Sequence, residues 1–247
     1  MRETRPVMGM PVEVVVAGGD ARAALEDAFA YFAAVDARFS TYKDDSEISR
    51  INRKLLAPEA ASGEMREVFA LAERTKAETG GYFDIRRPDG TLDPSGIVKG
   101  WAVKNASARV RARGHEDFFI NAGGDIAMSG ANAAGAPWSV GIKNPFRPDE
   151  IVKVIYPRGK GVATSGSYIR GAHIYNPHNP AEELADVVSI TVIGPDVLEA
   201  DRYATAAFAM GEKGIAFIEA LPGFEGYAIG ARGTATLTSG FHAYTVI

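Results

Sequence analysis

The chain contains no cysteine, and this absence removes several classes of function at once. Without a thiol there is no disulfide, no thiol nucleophile, no cysteine-ligated zinc or iron–sulfur site and no lipid-modified N-terminal cysteine. No apolar run approaches the ~20 residues that a membrane-spanning helix needs. The N-terminal residues also lack the apolar core of a signal peptide. We therefore predict a cytoplasmic protein without a transmembrane segment.

Neither sign of charge is in large excess. The 27 lysines and arginines nearly balance the 31 aspartates and glutamates, so the formal net charge is −4. This balance argues against nucleic acid as a partner, and any bound phosphate would have to meet local cations, backbone amides or a metal. The apolar share of 46% is ordinary for a globular protein. We predict one domain spanning residues 1–247.

The order of the predicted elements favours an α+β fold in which mixed sheets pack against helices. Apolar β-branched or alternating runs predict strands, whereas apolar residues at three- and four-residue steps predict helices. Asp20 and Ser46 are placed to cap the helices that follow them. Strands are predicted at residues 12–16, 118–121, 138–143, 151–156, 187–193, 227–229, 234–238 and 241–246. Helices are predicted at residues 21–39, 59–78, 95–113, 196–210 and 214–220, with a short helix after Ser46.

Residues 162–177 form an unusually polar connection between two strand-like runs, with hydroxyls, a glycine, an arginine and His173. Such groups are costly to bury without partners. The segment is therefore either a polar turn satisfied by the backbone, or a loop that holds a polar ligand and presents an imidazole to it. These residues alone do not separate the two interpretations.

The start of the helix that begins at Ser95 or Gly96 is a candidate anion site. Backbone amides at a helix N-terminus favour negative charge, and Lys99 follows within the first turn. The glycine spacing matches neither a Walker loop nor a dinucleotide-binding fingerprint. The pattern therefore suggests an anion but not a nucleotide-binding fold.

Asp201 and Thr205 lie four residues apart in a predicted helix, so they share one helix face. A carboxylate and a hydroxyl, completed by a carbonyl and waters, can hold Mg²⁺ beside a phosphate. The same spacing is more often found where an aspartate caps or pairs locally and a threonine bonds back to its own helix. Spacing alone therefore leaves both interpretations open.

Seven short blocks together resemble the ApbE family, the FAD:protein FMN transferases. They occur in the family's order and extend from Met8 to Thr205, which is most of the chain. The blocks are Met8-Gly9; Ser40-Thr41-Tyr42 with Ser46-Glu47; Gly81-Tyr82-Phe83-Asp84; Asp93 through Lys99-Gly100-Trp101-Ala102; Gly123-Gly124-Asp125; Thr164-Ser165-Gly166 with His173; and Ala200-Asp201 with Ala204-Thr205.

The resemblance implies an enzyme that uses FAD and Mg²⁺. It would attach FMN through a phosphoester to a serine or threonine of a partner flavoprotein and release AMP. His173 is implied as the catalytic base. The implied metal ligands are the carbonyl of Gly96 and the side chains of Asp201 and Thr205. The residues implied to contact FAD are Met8, Tyr42, Tyr82, Phe83, Asp84, Asp93, Lys99 and Thr164.

Two other functions remain open at this stage. If water replaced the protein hydroxyl, the same site would be a FAD pyrophosphatase that yields FMN and AMP. A flavin-binding or carrier protein without turnover is the third possibility. Asn176 favours it, because the resembling family usually has an aspartate there that could orient His173.

Overall fold

An eight-stranded antiparallel sheet forms the framework of the protein. The computed structural model describes residues 1–167, 174–181 and 183–246, apart from the side chain of Pro148. The strands of the main sheet are β1 (Arg2–Val7), β2 (Met10–Val16), β3 (Phe118–Ala122), β4 (Asp125–Ser129), β7 (Gly161–Gly166), β8 (Val187–Gly194), β9 (Glu225–Gly230) and β10 (Ala235–Leu237), hydrogen-bonded in that order. A separate antiparallel pair consists of β5 (Val140–Asn144) and β6 (Arg147–Ile155).

Helices cover one face of the main sheet, which confirms the α+β prediction. They are α1 (Arg22–Phe39), α2 (Glu47–Asn52), α3 (Gly63–Glu78), α4 (Ser95–Ala112), α5 (Val197–Ala209) and α6 (Gly214–Glu219). None of the helices in the described part of the chain has both the length and the apolar character that crossing a bilayer requires.

Strand alternation explains how the sheet can be covered on both faces. In β8, Ile190 and Val192 pack toward α5 and α6, whereas Ile193 packs with the residues under the β5–β6 pair. Successive side chains of a strand point to opposite faces, so a strand that is buried on both faces is almost continuously apolar. A third cluster packs β2 and β3 against α1, α3 and α4.

Helix capping agrees with the sequence in part. The side chain of Ser46 accepts a hydrogen bond from the N–H of Ser49 at 3.1 Å, which confirms the predicted cap. The prediction for Asp20 is wrong, because Ala21 is the N-cap of α1 and makes no side-chain capping bond. Asp20 instead accepts from the N–H of Arg22 and closes the preceding turn.

Two further differences have local causes. Residues 241–246 do not form a strand, since Phe241–Tyr244 is a 3₁₀ turn anchored by the fully buried ring of Phe241. A single buried aromatic residue accounts for the apolar signal there. Strand β1 was not predicted, because it is an edge strand that carries three charged residues and a proline, as edge strands often do.

Candidate active site

A cleft opens where the first turn of α4, the middle of α5, strand β7 and the loop of residues 82–93 meet. The structure brings most of the predicted site residues to this one place. The predicted residues that line the cleft are Tyr82, Phe83, Asp84, Asp93, Gly96, Lys99, Thr164, Asp201 and Thr205. Segments 82–99, 164 and 201–205 are far apart in the sequence and converge here. A polar turn at Thr164, or a local cap or back-bond at Asp201 and Thr205, does not by itself explain this convergence.

The close approach of α4 and α5 sets the geometry of the cleft. A Cβ atom on Gly100 would lie 2.6 Å from Cβ of Asp201 and 2.9 Å from the carbonyl oxygen of Val197. Only glycine therefore fits at this crossing. The backbone N–H of Gly100 donates to Oδ2 of Asp201 at 2.7 Å, which fixes one oxygen of this buried carboxylate.

Oxygen donors of the predicted metal ligands lie together in the cleft. Oγ1 of Thr205 is 3.3 Å from the carbonyl oxygen of Gly96 and 3.5 Å from Oγ of Ser165. Asp201 lies one helical turn before Thr205 on the same face of α5. One carboxylate, one carbonyl and one hydroxyl are the hard oxygen ligands that suit Mg²⁺, so the residues present fit this ion.

The described residues contain no group of three or more His, Cys, Asp or Glu side chains of the kind that holds a metal by itself. A cation in this cleft would therefore keep positions for water or for a substrate phosphate. Mg²⁺ sites that act on phosphates are usually built in this way, with one or two carboxylates from the protein.

Lys99 lies between two buried carboxylates. Its ammonium group pairs with Oδ2 of Asp125, and it lies 3.5 Å from Oδ1 of Asp201. Asp125 is fully buried, and among the described residues its Oδ1 has no hydrogen-bond partner. Burial, and then repulsion by Asp201, hold the pKa of Asp125 well above its usual value despite the opposing effect of Lys99.

The loop that carries Asp93 is held at several points. The guanidinium of Arg87 pairs with Oδ2 of Asp93, and the N–H of Ser95 donates to Oδ1 of Asp93 at 3.1 Å. The amide of Asn52 makes two hydrogen bonds to the backbone of Leu92, at 2.8 and 2.9 Å. These contacts fix the loop between α2 and the start of α4.

A second, larger cavity of about 620 Å³ adjoins the first. The predicted residues Met8 and Tyr42 line it, and Tyr42 is 95% exposed and so available to a ligand. The residues shared by both cavities are Arg87, Asp93, Ser95 and Lys99. A cavity of this size is typical of sites for ligands as large as drug molecules or cofactors. A long ligand could therefore lie across both cavities with its middle beside the shared cations.

Some predicted residues already have partners within the protein. Asp84 forms a 2.6 Å ion pair with Lys76, and Oγ1 of Thr164 is hydrogen-bonded to Oγ1 of Thr191 at 2.9 Å. The ring of Tyr82 packs edge-on against His178. These residues shape the wall of the cleft, and contacts with FAD remain a prediction for each of them.

His173, the predicted base, lies outside the described residues. The segment after it is described and lines the cleft through Ile174, Tyr175 and Pro177. Asn176 accepts a hydrogen bond from the N–H of His178 through its side-chain oxygen at 3.0 Å. In the described structure this side chain therefore organises the turn that follows His173.

Two residues that line the cleft, Arg87 and Ser165, were given no role from the sequence, and neither was the buried Asp125 that pairs with Lys99. Asp125 and Ser165 belong to blocks on which the family resemblance was based, but the sequence assigned neither residue a role in the site. Arg87 gave no signal, because an arginine in a polar loop is usually solvated. Its pairing with Asp93 depends on how the loop folds.

Comparison with known proteins supports the family assignment. The sequence model of the ApbE family matches residues 8–87 and 85–228 of this chain. The chain belongs to the ApbE family. The match covers most of the chain and includes every block on which the resemblance was based, so the predicted family is confirmed.

Relatives and solved structures of ApbE proteins agree with this assignment. A FAD:protein FMN transferase of Vibrio cholerae is 29% identical over 75% of this chain and 73% of the relative. One of Salmonella typhimurium is 27% identical over 83% of this chain and 77% of the relative. The structure of the flavin transferase ApbE from Vibrio cholerae superposes with a TM-score of 0.86 at 25% identity, covering 99% of this chain and 98% of that one. The ApbE protein of Thermotoga maritima, at 21% identity, shares the fold with a TM-score of 0.88 over 100% of this chain and 99% of that one.

Proposed function

We propose that this protein is a Mg²⁺-dependent FAD:protein FMN transferase. It attaches FMN through a phosphoester to a serine or threonine of a partner flavoprotein and releases AMP. The observation that carries the proposal is the convergence of Gly96, Asp201 and Thr205 with Lys99 in one cleft, next to a cavity large enough for a flavin or an adenosine. The names of the relatives support the choice of FAD as the substrate.

In the proposed reaction, the acceptor hydroxyl attacks the phosphorus on the FMN side of the FAD diphosphate. A new P–O bond forms to the acceptor, the P–O bond to the bridging oxygen breaks, and AMP leaves with the electron pair. His173 takes the proton of the hydroxyl, as an imidazole with a pKa near ~6.5 can do at neutral pH. Its role rests on the resemblance to the family.

The residues of the cleft supply position and charge. Asp201, Thr205 and the carbonyl of Gly96 would hold Mg²⁺, and a metal bound there would neutralise phosphate charge. Lys99 lies beside Asp201, and its ammonium group would meet a phosphate oxygen of the same substrate. Arg87 and Asp93 line both cavities and would contact the middle of a FAD molecule that spans them.

The proposal is tested by incubating the protein with FAD, Mg²⁺ and a candidate acceptor flavoprotein. We expect the acceptor to gain the mass of one FMN group, measured by mass spectrometry, with one AMP released per FMN transferred. AMP without a change in acceptor mass would instead indicate hydrolysis of FAD. Retained FAD without AMP would indicate a carrier, and no binding of FAD at micromolar concentration would refute all three functions.

Two variants test the assigned roles. Asp201→Ala should abolish AMP release at any practical Mg²⁺ concentration, because the metal loses its only proposed carboxylate ligand; an unchanged Mg²⁺-dependent rate would refute the metal assignment. His173→Ala should retain FAD affinity and lose transfer. Equal transfer rates in the wild type and this variant would remove His173 from the mechanism.

A further inference from the structure

The proposed function gives no role to Asp125, although it is fully buried and pairs with Lys99 of the site. It begins β4, directly after the tight Gly123-Gly124 turn, and its side chain is completely inaccessible to solvent. A buried carboxylate with an unpaired oxygen costs stability, and replacing a buried ion pair with apolar residues is often neutral or stabilising. A purely structural role therefore does not account for an aspartate at this position.

The contacts of Asp125 point to Lys99. The ammonium group of Lys99 has two carboxylates within reach, since it pairs with Asp125 and lies 3.5 Å from Oδ1 of Asp201. The flexible lysine side chain could move fully onto Asp201 if Asp125 did not pair with it. Oδ2 of Asp201 is already occupied by the N–H of Gly100, so Oδ1 is the oxygen that such a movement would block.

We propose that Asp125 is a positioning residue: by pairing with the ammonium group of Lys99 it limits the contact of Lys99 with Oδ1 of Asp201 to the long 3.5 Å approach, so that the metal can take this oxygen. The inference rests on the proposed metal site, and it assigns to the Gly-Gly-Asp turn a role in selecting between two ion pairs. Without its pairing to Asp125, Lys99 competes with the metal for the same carboxylate oxygen.

The test measures metal binding without turnover. Mn²⁺ replaces Mg²⁺ as the probe, and free Mn²⁺ is followed by electron paramagnetic resonance in the presence of FAD and in the absence of an acceptor. Changes to groups that orient metal ligands typically weaken metal affinity by about 10- to 100-fold. We expect Asp125→Asn to weaken Mn²⁺ binding by at least about tenfold. Asp27→Asn, which removes an ion-paired carboxylate on α1 outside both cavities, should leave Mn²⁺ affinity unchanged.

A double-mutant cycle separates positioning from a direct effect of charge. If Asp125 acts through Lys99, then adding Asp125→Asn to Lys99→Met should change Mn²⁺ affinity by less than about twofold. A loss of the same size in both backgrounds would mean that Asp125 attracts or binds the metal itself, and the inference would be overturned. Unchanged affinity in the single Asp125→Asn variant would overturn it as well.

Folding and function are checked separately. Thermal unfolding shows whether each variant is folded, and Asp125→Ser provides a second variant without the charge if Asp125→Asn does not fold. Binding of Mn²⁺ by the wild type, together with no AMP release from FAD in a separate assay that contains Mg²⁺ and an acceptor flavoprotein, would refute the proposed function but leave the Asp125 cycle valid. A wild type that binds no Mn²⁺ in the presence of FAD would overturn both the metal assignment and this inference.

Discussion

Replacing Gly100 with alanine should destabilise the protein and damage its site through a single methyl group. The new Cβ would lie 2.6 Å from Cβ of Asp201 and 2.9 Å from the carbonyl oxygen of Val197. Neither atom belongs to the free end of a flexible side chain, so α5 would have to move away from α4. Overpacking of a core typically costs about 1–3 kcal/mol, and we take the upper end. The better helix propensity of alanine offsets about 1 kcal/mol, which leaves a net loss of about 2 kcal/mol.

The same displacement should lower activity, because Asp201 lies at the point of contact. A shift of about 1 Å in a positioning group can cost about 100-fold in rate. Urea unfolding measures the stability, and AMP release from FAD measures the activity. Gly63→Ala is the matched control, since a Cβ there meets nothing within 4 Å in the first turn of α3. We expect the control to be as stable as the wild type or slightly more so. A Gly100→Ala protein as stable and active as this control would refute the reasoning.

Two further predictions concern the supports of the site. Burial alone would raise the pKa of Glu78, but its hydrogen bond and ion pair with Arg202 outweigh that effect and lower the pKa below its ordinary value of 4.5. The stabilisation by this ion pair is therefore fully present above about pH 4.5 and is lost as the pH falls through the lowered pKa. In Glu78→Gln, the free energy of unfolding measured in urea should therefore depend less on pH between about pH 3 and 5 than it does in the wild type. An unchanged pH dependence would contradict this. Asn52→Ala removes both hydrogen bonds to Leu92, each worth about 1 kcal/mol, and should raise the KM for FAD more than it lowers kcat, because the loop bearing Asp93 loosens. Equal changes in both constants would argue against this role.

Much of the fold could be predicted because the strongest signals are local. Helices α1, α4 and α5 have apolar residues at helical spacing, and β8 is an apolar β-branched run, so each was found within a few residues of its observed bounds. Strands β4 and β7 are absent from the prediction although both are largely buried. Two other misses have a common cause. Edge strand β1 and the 3₁₀ turn at Phe241 depend on what packs beside them, and local pattern does not carry that information.

The candidate site shows the same division. Seven blocks of residues identified the family and most of the candidate site residues, because each block is a short sequence motif that can be recognised without knowing the fold. Spacing along the chain could not show that Gly96 and Thr205, 109 positions apart, lie with their oxygens 3.3 Å from each other. Nor could it assign a role to Arg87, whose partner Asp93 is set by the fold of a loop.

The sequence by itself determined much of the secondary structure of the core, the α+β class and the family, since periodicity and motif chemistry are properties of short segments. Only the tertiary structure decided which charges meet. Lys99 meets both Asp125 and Asp201 because α4 and α5 touch at Gly100, and because β4 brings the buried carboxylate of Asp125 to the same place. Electrostatic energy depends on distance in space and on burial, and the fold sets both.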